Sequence, residues 1–297
     1  MTPGSVPRST LEPGRPTAVV LDFDGTLTDA DAHAADFHEA SRRELASRLG
    51  WDESTLGREW QRARERLLAL PPETPWIVDG RGVCPATADP YLIANGVAKR
   101  VLTEHRPGLG GAAIAAAVLE VHHAAYERVP PPFRLDAAAL LDELCARGLA
   151  VRVVTNSRTG TVERRLDELS LRARRDVVVR GEAGKFTVGA SACADARFEA
   201  LPECLEWEGV GRAVHLRRGA YFDLLRGIWD ETGTRPESTL VVGDVFELDL
   251  AMPAALGAHV HLALRASTLV HERRLAEATP RGGASASLAA VLERLPA

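Results

Sequence analysis

Five short apolar runs, each closing on a polar or turn residue, constrain the fold more than any other feature: from Ala18 to Leu21, Ala150 to Val154, Val177 to Val179, Thr239 to Val242 and Ala258 to Leu264. Runs this short and this continuous suit strands buried on both faces, the habit of a parallel sheet. Helical patterns separate most of them. From Leu135 to Arg147 apolar residues recur at helical spacing with Gly148 as a stop, and Tyr221 to Trp229 and Leu288 to Leu295 also read as helices. The alternation predicts an α/β fold with a doubly wound parallel sheet.

The stretch between the first and second runs carries no strand signal and is far longer than a crossover connection, so it needs a fold of its own. Phe37, Leu45 and Leu49 fit one helix ending at Gly50, and Leu56, Trp60, Ala63 and Leu67 fit a second stopped by Pro71 and Pro72. Asp89 and Pro90 open a third as cap and first-turn proline, and a fourth runs from Ala112 to Tyr126. The expected division is a helical lid over 31–132 inserted into an α/β core made of 17–30 and 133–297, with a disordered tail over 1–16 rich in Pro, Gly, Ser and Thr. The lid loop "PPETPWIVDGRGVCPATADPY" reads as a recognition element or a plain connection.

A net charge of −5 and a pI near 6.0 give no broad attraction to nucleic acid or anionic lipid. No run approaches the roughly 18 apolar residues that span a bilayer. Cys84, Cys145, Cys193 and Cys204 show no metal-ligand spacing and read as free thiols in a reducing compartment. With no apolar signal segment in the opening residues, the expected location is the cytoplasm and the expected partner a small molecule, the oligomeric state being left open.

In open parallel sheets the ligand site lies beyond the carboxyl ends of the strands. Three of the runs end there in reactive groups: Asp22 and Asp24 in "LDFDGT", Thr155 and Asn156 in "VVTNS", and Asp244 in "GDVFELD". Asp22 and Asp24, two apart on an extended chain, face the same side. Carboxylates gathered in a low-dielectric crevice repel unless a cation sits among them, and an oxygen-only cluster with few ligands suits Mg²⁺. One aspartate can then attack phosphorus, while another gives and takes a proton.

Together "DFDGT", "VVTNS" and "GDVFELD", in this order and at strand ends, resemble motifs I, II and IV of the haloacid dehalogenase superfamily of phosphohydrolases. The resemblance implies a Rossmann-like core with an inserted α-helical cap. It also implies a Mg²⁺-dependent phosphatase acting on a small organic phosphomonoester. In that pattern Asp22 is the nucleophile and Asp24 the general acid and base, its backbone carbonyl also touching the metal. Thr155 binds phosphoryl oxygens, with Asn156 beside it, while Gly25 and Thr26 turn the backbone sharply next to the phosphate. Asp22, Asp24, Asp244 and Asp249 form the metal set, with Glu247 competing for the place of Asp249.

The third motif departs from the pattern. Before the fourth strand the chain reads "HLRRGAYFDLL", offering Arg217 and Arg218 but no lysine, whereas Lys185 follows the third strand in "VVVRGEAGKF". Lysine is rare here, Lys99 and Lys185 being the only two, and as a point charge it fits between two carboxylates, which favours Lys185 over Arg218. Residues 186–216 then form an insertion, expected to hold a hairpin. His122 and His123 are adjacent on a helix and point too far apart to share a metal. Asp29 and Asp31 read as caps of the first lid helix. Asp24 argues against dehalogenase and phosphonate hydrolase activities, the latter kept formally alive by Lys99. A sugar-phosphate mutase and a catalytically degenerate binding or regulatory protein are the rival functions.

Overall fold

The computed structural model describes residues 14–207 and 209–295. Its strands, in chain order, are β1 (Ala18–Leu21), β2 (Pro75–Val78), β3 (Arg81–Pro85), β4 (Ala150–Val154), β5 (Val177–Arg180), β6 (Cys204–Glu206), β7 (Ala213–His215), β8 (Thr239–Gly243), β9 (His259–Ala263) and β10 (Ala284–Ser285). The helices are α1 (Ala30–Leu49), α2 (Glu53–Leu68), α3 (Pro90–His105), α4 (Gly111–Arg128), α5 (Ala137–Ala146), α6 (Thr159–Asp167), α7 (Ala196–Glu199), α8 (Gly219–Thr232), α9 (Ala251–Ala255) and α10 (Val270–Ala278).

The five apolar runs are β1, β4, β5, β8 and β9 of a six-stranded sheet with the order β10-β9-β8-β1-β4-β5, parallel throughout. Alternation along β1 sends Val19 and Leu21 to a core shared with Leu140 and Leu141 of α5, and Val20 to a core shared with Phe222 and Trp229 of α8. Both faces are therefore covered, which is why these strands read as unbroken apolar runs. The β1 strand sits between β4 and β8, at the point where the chain winds off in both directions, so the carboxyl ends of all three open onto one crevice.

Helices α1 to α4 bury a core of their own around Phe37, Leu45, Trp60, Val97, Val101 and Val118. Their ends follow the sequence signals: Asp29 accepts from the Ala32 amide at 3.0 Å, Asp89 from the Leu92 amide at 2.7 Å, and Gly50 closes α1 in the left-handed region at φ 67°.

Several expectations are corrected. The stretch expected to lack strands contains the antiparallel hairpin β2–β3, turning at Asp79 and Gly80 with φ of 48° and 76°. An Asp-Gly pair is a hairpin signal, masked here by Pro75 and by a register shift after Trp76 that breaks the two-residue alternation. The hairpin seats Val83 and Cys84 against Leu92, Val245 and Leu248, between the helical unit and the core. The helix expected at the end of the chain is a run of 3₁₀ turns over Leu288–Arg294. Asp31 does not cap α1: it accepts from the Ser267 amide at 3.0 Å and from Arg265 at 3.3 Å, across to the core. The insertion over 186–216 does hold a hairpin, β6–β7. Most of the tail expected over 1–16 lies outside the described residues.

No helix among the described residues is long and apolar enough to cross a membrane. Cys84, Cys145, Cys193 and Cys204 are all unpaired thiols.

Candidate active site

Asp22, one residue past β1, keeps its amide in the sheet ladder by donating to Val242 O at 2.8 Å, which fixes its side chain at the mouth of the crevice. Asp244 stands in the same position after β8. Asp249 is brought round by a widened helical turn over Phe246–Leu250, in which its carboxylate accepts from the Val245 amide at 3.1 Å. Asp22, Asp244 and Asp249 each offer a carboxylate oxygen within 4.8 Å of the others, all buried. Two glycines make the approach possible: a Cβ on Gly25, at φ +88°, would lie 2.2 Å from Asp244 Oδ2, and one on Gly243 would lie 2.3 Å from Asp249 Cβ.

Lys185 Nζ donates to Asp22 Oδ1 at 2.6 Å and to Asp249 Oδ1 at 2.7 Å, and is only 2% exposed. Burial opposes its charge, but the two carboxylates prevail and hold its pKa above the usual lysine value. Burial pushes Asp22 up to about 7 even against Lys185, and pushes Asp244 well above the usual range against Arg265. The Arg265 Nε lies 2.7 Å from Asp244 Oδ2 without a well-aligned hydrogen bond. Such a cluster is under-neutralised by the protein alone. Three buried oxygen donors at this spacing fit a small hard dication such as Mg²⁺.

Asp24 is in the same cavity but its carboxylate turns toward the helical unit. Tyr126 of α4 donates to Oδ1 at 2.5 Å and Ser157 to Oδ2 at 2.7 Å, with Thr155 Oγ1 at 3.5 Å. Burial raises its pKa, outweighing these donors. Asp24 is held by two hydroxyl donors and Asp22 by a lysine, so the two aspartates sit in unlike surroundings within one cavity.

Not every sequence candidate faces the cavity. Thr155 lines it, its hydroxyl accepting from the Ser157 amide at 3.0 Å. Asn156 lines it too, but its Oδ1 accepts from the Lys185 amide at 2.9 Å, so it orders the lysine loop. Arg218 does not reach the cavity: fully buried, it donates to the carbonyls of Lys185 and, at 2.6 Å, Val83. Thr26 is buried with an unpartnered hydroxyl. Glu247 points away to Arg212 at 2.6 Å, outside the carboxylate trio that Asp249 joins. The side chain of Asp24 is likewise outside the trio. His122 is paired with Asn95 at 3.3 Å and stacks on Tyr126, while Lys99 lies over the Trp76 ring. Tyr126 and Arg265 carried no sequence signal, since one is the last aromatic of an ordinary helix and the other one arginine among many. Ser157 lay one residue beyond Asn156, inside the "VVTNS" stretch.

The family model for haloacid dehalogenase-like hydrolases matches residues 16–206. Among solved structures, a predicted phosphoglycolate phosphatase from Haemophilus somnus 129pt is similar over 94% of this chain and 97% of its own, at 14% identity and a TM-score of 0.53. The HAD-hydrolase named YfnB from Bacillus subtilis, in a form bound to magnesium, is similar over 95% and 100% at 14% identity and a TM-score of 0.52. Likeness at such identity shows the fold. A comparison with curated proteins finds no match. Since the family model spans well over half of the residues, from just before β1 through β6, the chain belongs to the haloacid dehalogenase-like hydrolases.

Proposed function

We propose that the protein is a Mg²⁺-dependent phosphatase that hydrolyses a small organic phosphomonoester through an aspartyl-phosphate on Asp22. The observation that carries this reading is the pair of unlike aspartates in one cavity: Asp22 against Lys185 at 2.6 Å and within the carboxylate trio, Asp24 under Tyr126 and Ser157. Asp22, Asp244 and Asp249, with the Asp24 backbone carbonyl, would hold the ion, which when bound offsets the charge of the trio and of the phosphoryl oxygens.

Lys185 favours the anionic form of Asp22 against the burial that raises its pKa. A carboxylate oxygen of Asp22 bonds to phosphorus as the ester P–O bond breaks, and the proton on Asp24 passes to the leaving oxygen. Asp24, now charged, takes a proton from water. The water oxygen bonds to phosphorus, the acyl-phosphate bond breaks, and phosphate leaves with Asp22 restored. The Thr155 hydroxyl orients the phosphoryl group, and the helical unit limits access of bulk water.

A catalytically degenerate binding protein would find its support in the displaced third motif, and a lysine seated between Asp22 and Asp249 weakens it. The test is release of inorganic phosphate from p-nitrophenyl phosphate. Turnover that needs Mg²⁺ and falls by about 10³-fold or more in Asp22→Asn is expected. Absence of turnover across a panel of phosphomonoesters would return the protein to the binding class, and phosphate retained on a second sugar hydroxyl would make it a mutase.

A further inference from the structure

The cavity above Asp22 and Asp24 has a volume of about 610 Å³, room for an organic group well beyond the phosphate. Its charges are lopsided. Apart from the four aspartates already described, Asp89, Glu127 and Glu182 line it, and Arg158 is the only arginine or lysine on the wall among the described residues. Lys185 and Arg218 are spent below the floor on carboxylates and carbonyls, and Arg265 divides its charge among Asp244, Asp31 and the wall carboxyl of Asp89, whose pKa burial raises. Burial holds His122 down at about 4 and lowers His123 as well, so neither supplies a cation near neutral pH.

The hydrogen-bond polarity of the wall is fixed by what lies behind it. His33 Nε2 is 2.5 Å from the Val129 carbonyl, which can only accept, so Nε2 carries the proton. Burial lowers the His33 pKa, leaving the ring neutral and Nδ1 an acceptor. The Tyr91 hydroxyl, 3.1 Å away, therefore spends its hydrogen on His33. Tyr126 spends its own on Asp24. His122 Nδ1 meets Asn95 Oδ1 at 3.3 Å, which leaves the lone pair of Nε2. Both tyrosine oxygens and the histidine nitrogen can then only accept from a ligand. The three rings stand together, His122 stacked on Tyr126 at 15° and Tyr91 6.1 Å from both. Aromatic faces attract cations and repel anions.

We propose that the organic part of the substrate is an amine: a phosphomonoester that presents an ammonium group to the Tyr91, His122 and Tyr126 wall beside Asp89, and that carries no carboxylate or second phosphate. An ammonium brings N–H donors to acceptor-only oxygens and a positive charge to π faces and a carboxylate. A second anion finds Arg158 as the one cationic side chain on the wall among the described residues, with only neutral donors such as the Asn95 amide beside the rings. This inference rests on the phosphatase reading and narrows it.

The test compares kcat/KM, with Mg²⁺ present, for three phosphates on the same two-carbon frame: O-phosphoethanolamine, ethylene glycol monophosphate and phosphoglycolate. A larger pair, glucosamine 6-phosphate against glucose 6-phosphate, covers the remaining volume. The expected order is ammonium, then neutral, then carboxylate, with about tenfold or more between the ends. Asp89→Asn keeps a competent cap for α3 and is expected to shrink the ammonium-to-carboxylate ratio at least about threefold. Phosphoglycolate hydrolysed as well as phosphoethanolamine overturns the inference and leaves the phosphatase reading standing. Turnover of p-nitrophenyl phosphate with no preference for either amine does the same. An unchanged ratio in folded Asp89→Asn also counts against it, and failure to turn over any phosphate removes both readings.

Discussion

Tyr126 shows how much one side chain from outside the core adds to the centre. Its hydroxyl, 2.5 Å from Asp24, opposes the burial that raises that carboxyl. Tyr126→Phe should therefore raise the Asp24 pKa further. Because phosphoryl transfer needs Asp24 protonated, the alkaline limb of kcat/KM should move to higher pH, and kcat should fall by about tenfold as Asp24 becomes a weaker acid toward the leaving oxygen. The pH–rate profile checks this, and an unmoved limb would show that the hydroxyl has no part in tuning Asp24. At this scale the sequence was informative where chemistry and position coincide. Asp22 and Asp244 stand directly after strands, and Lys185 in the loop that follows β5, where a parallel sheet must open its site. Arg218 and Asn156 sit equally close in sequence, yet they satisfy backbone carbonyls and an amide, a need that only the packed chain creates.

At the scale of elements, the strands of the central sheet could be read because burial on both faces forces unbroken apolar runs, and the helices α1 to α3 because their caps are spelled out as Asp, Gly and Pro. The hairpin β2–β3 could not, because its stability comes from what it sits on. Arg218 ties it down by donating to Val83 O at 2.6 Å, and holds the lysine loop through the carbonyl of Lys185. Arg218→Met should leave both carbonyls buried without a donor, a cost of about 2–4 kcal/mol. Urea unfolding would detect the loss. In residual native protein KM should change no more than kcat, since Arg218 does not reach the cavity; a selective rise in KM would instead make it a phosphate ligand.

At the scale of the whole molecule, the helical unit and the core meet through polar contacts placed on the candidate catalytic groups themselves. Arg265, at the end of β9, reaches Asp244 at 2.7 Å, Asp31 of α1 at 3.3 Å and the Ala88 carbonyl at 2.5 Å, so the carboxylate cluster and the position of the helices are linked by one guanidinium. Behind this region Glu272 of α10 is fully buried, and burial together with Glu247 pushes it up to about 8. A carboxyl raised in this way binds more protons folded than unfolded between its unfolded value near 4.5 and about 8, so it erodes stability as pH rises through that window. Glu272→Gln should lessen that loss, by on the order of 1 kcal/mol per pH unit, read as a smaller drop in urea midpoint between pH 5 and pH 8 than in the wild type. Parallel drops in the two proteins would mean that Glu272 is ionised in the fold.

The account turns on Asp22 carrying the phosphoryl group. The most direct measurement is to quench a reacting mixture of protein, Mg²⁺ and p-nitrophenyl phosphate in acid, reduce it with borohydride, and map the peptides by mass spectrometry. An acyl-phosphate is reduced to the alcohol, so homoserine in place of aspartate is expected at position 22, dependent on substrate and absent from Asp22→Asn. Steady turnover with position 22 unreduced, or with the label on another aspartate, would contradict the account.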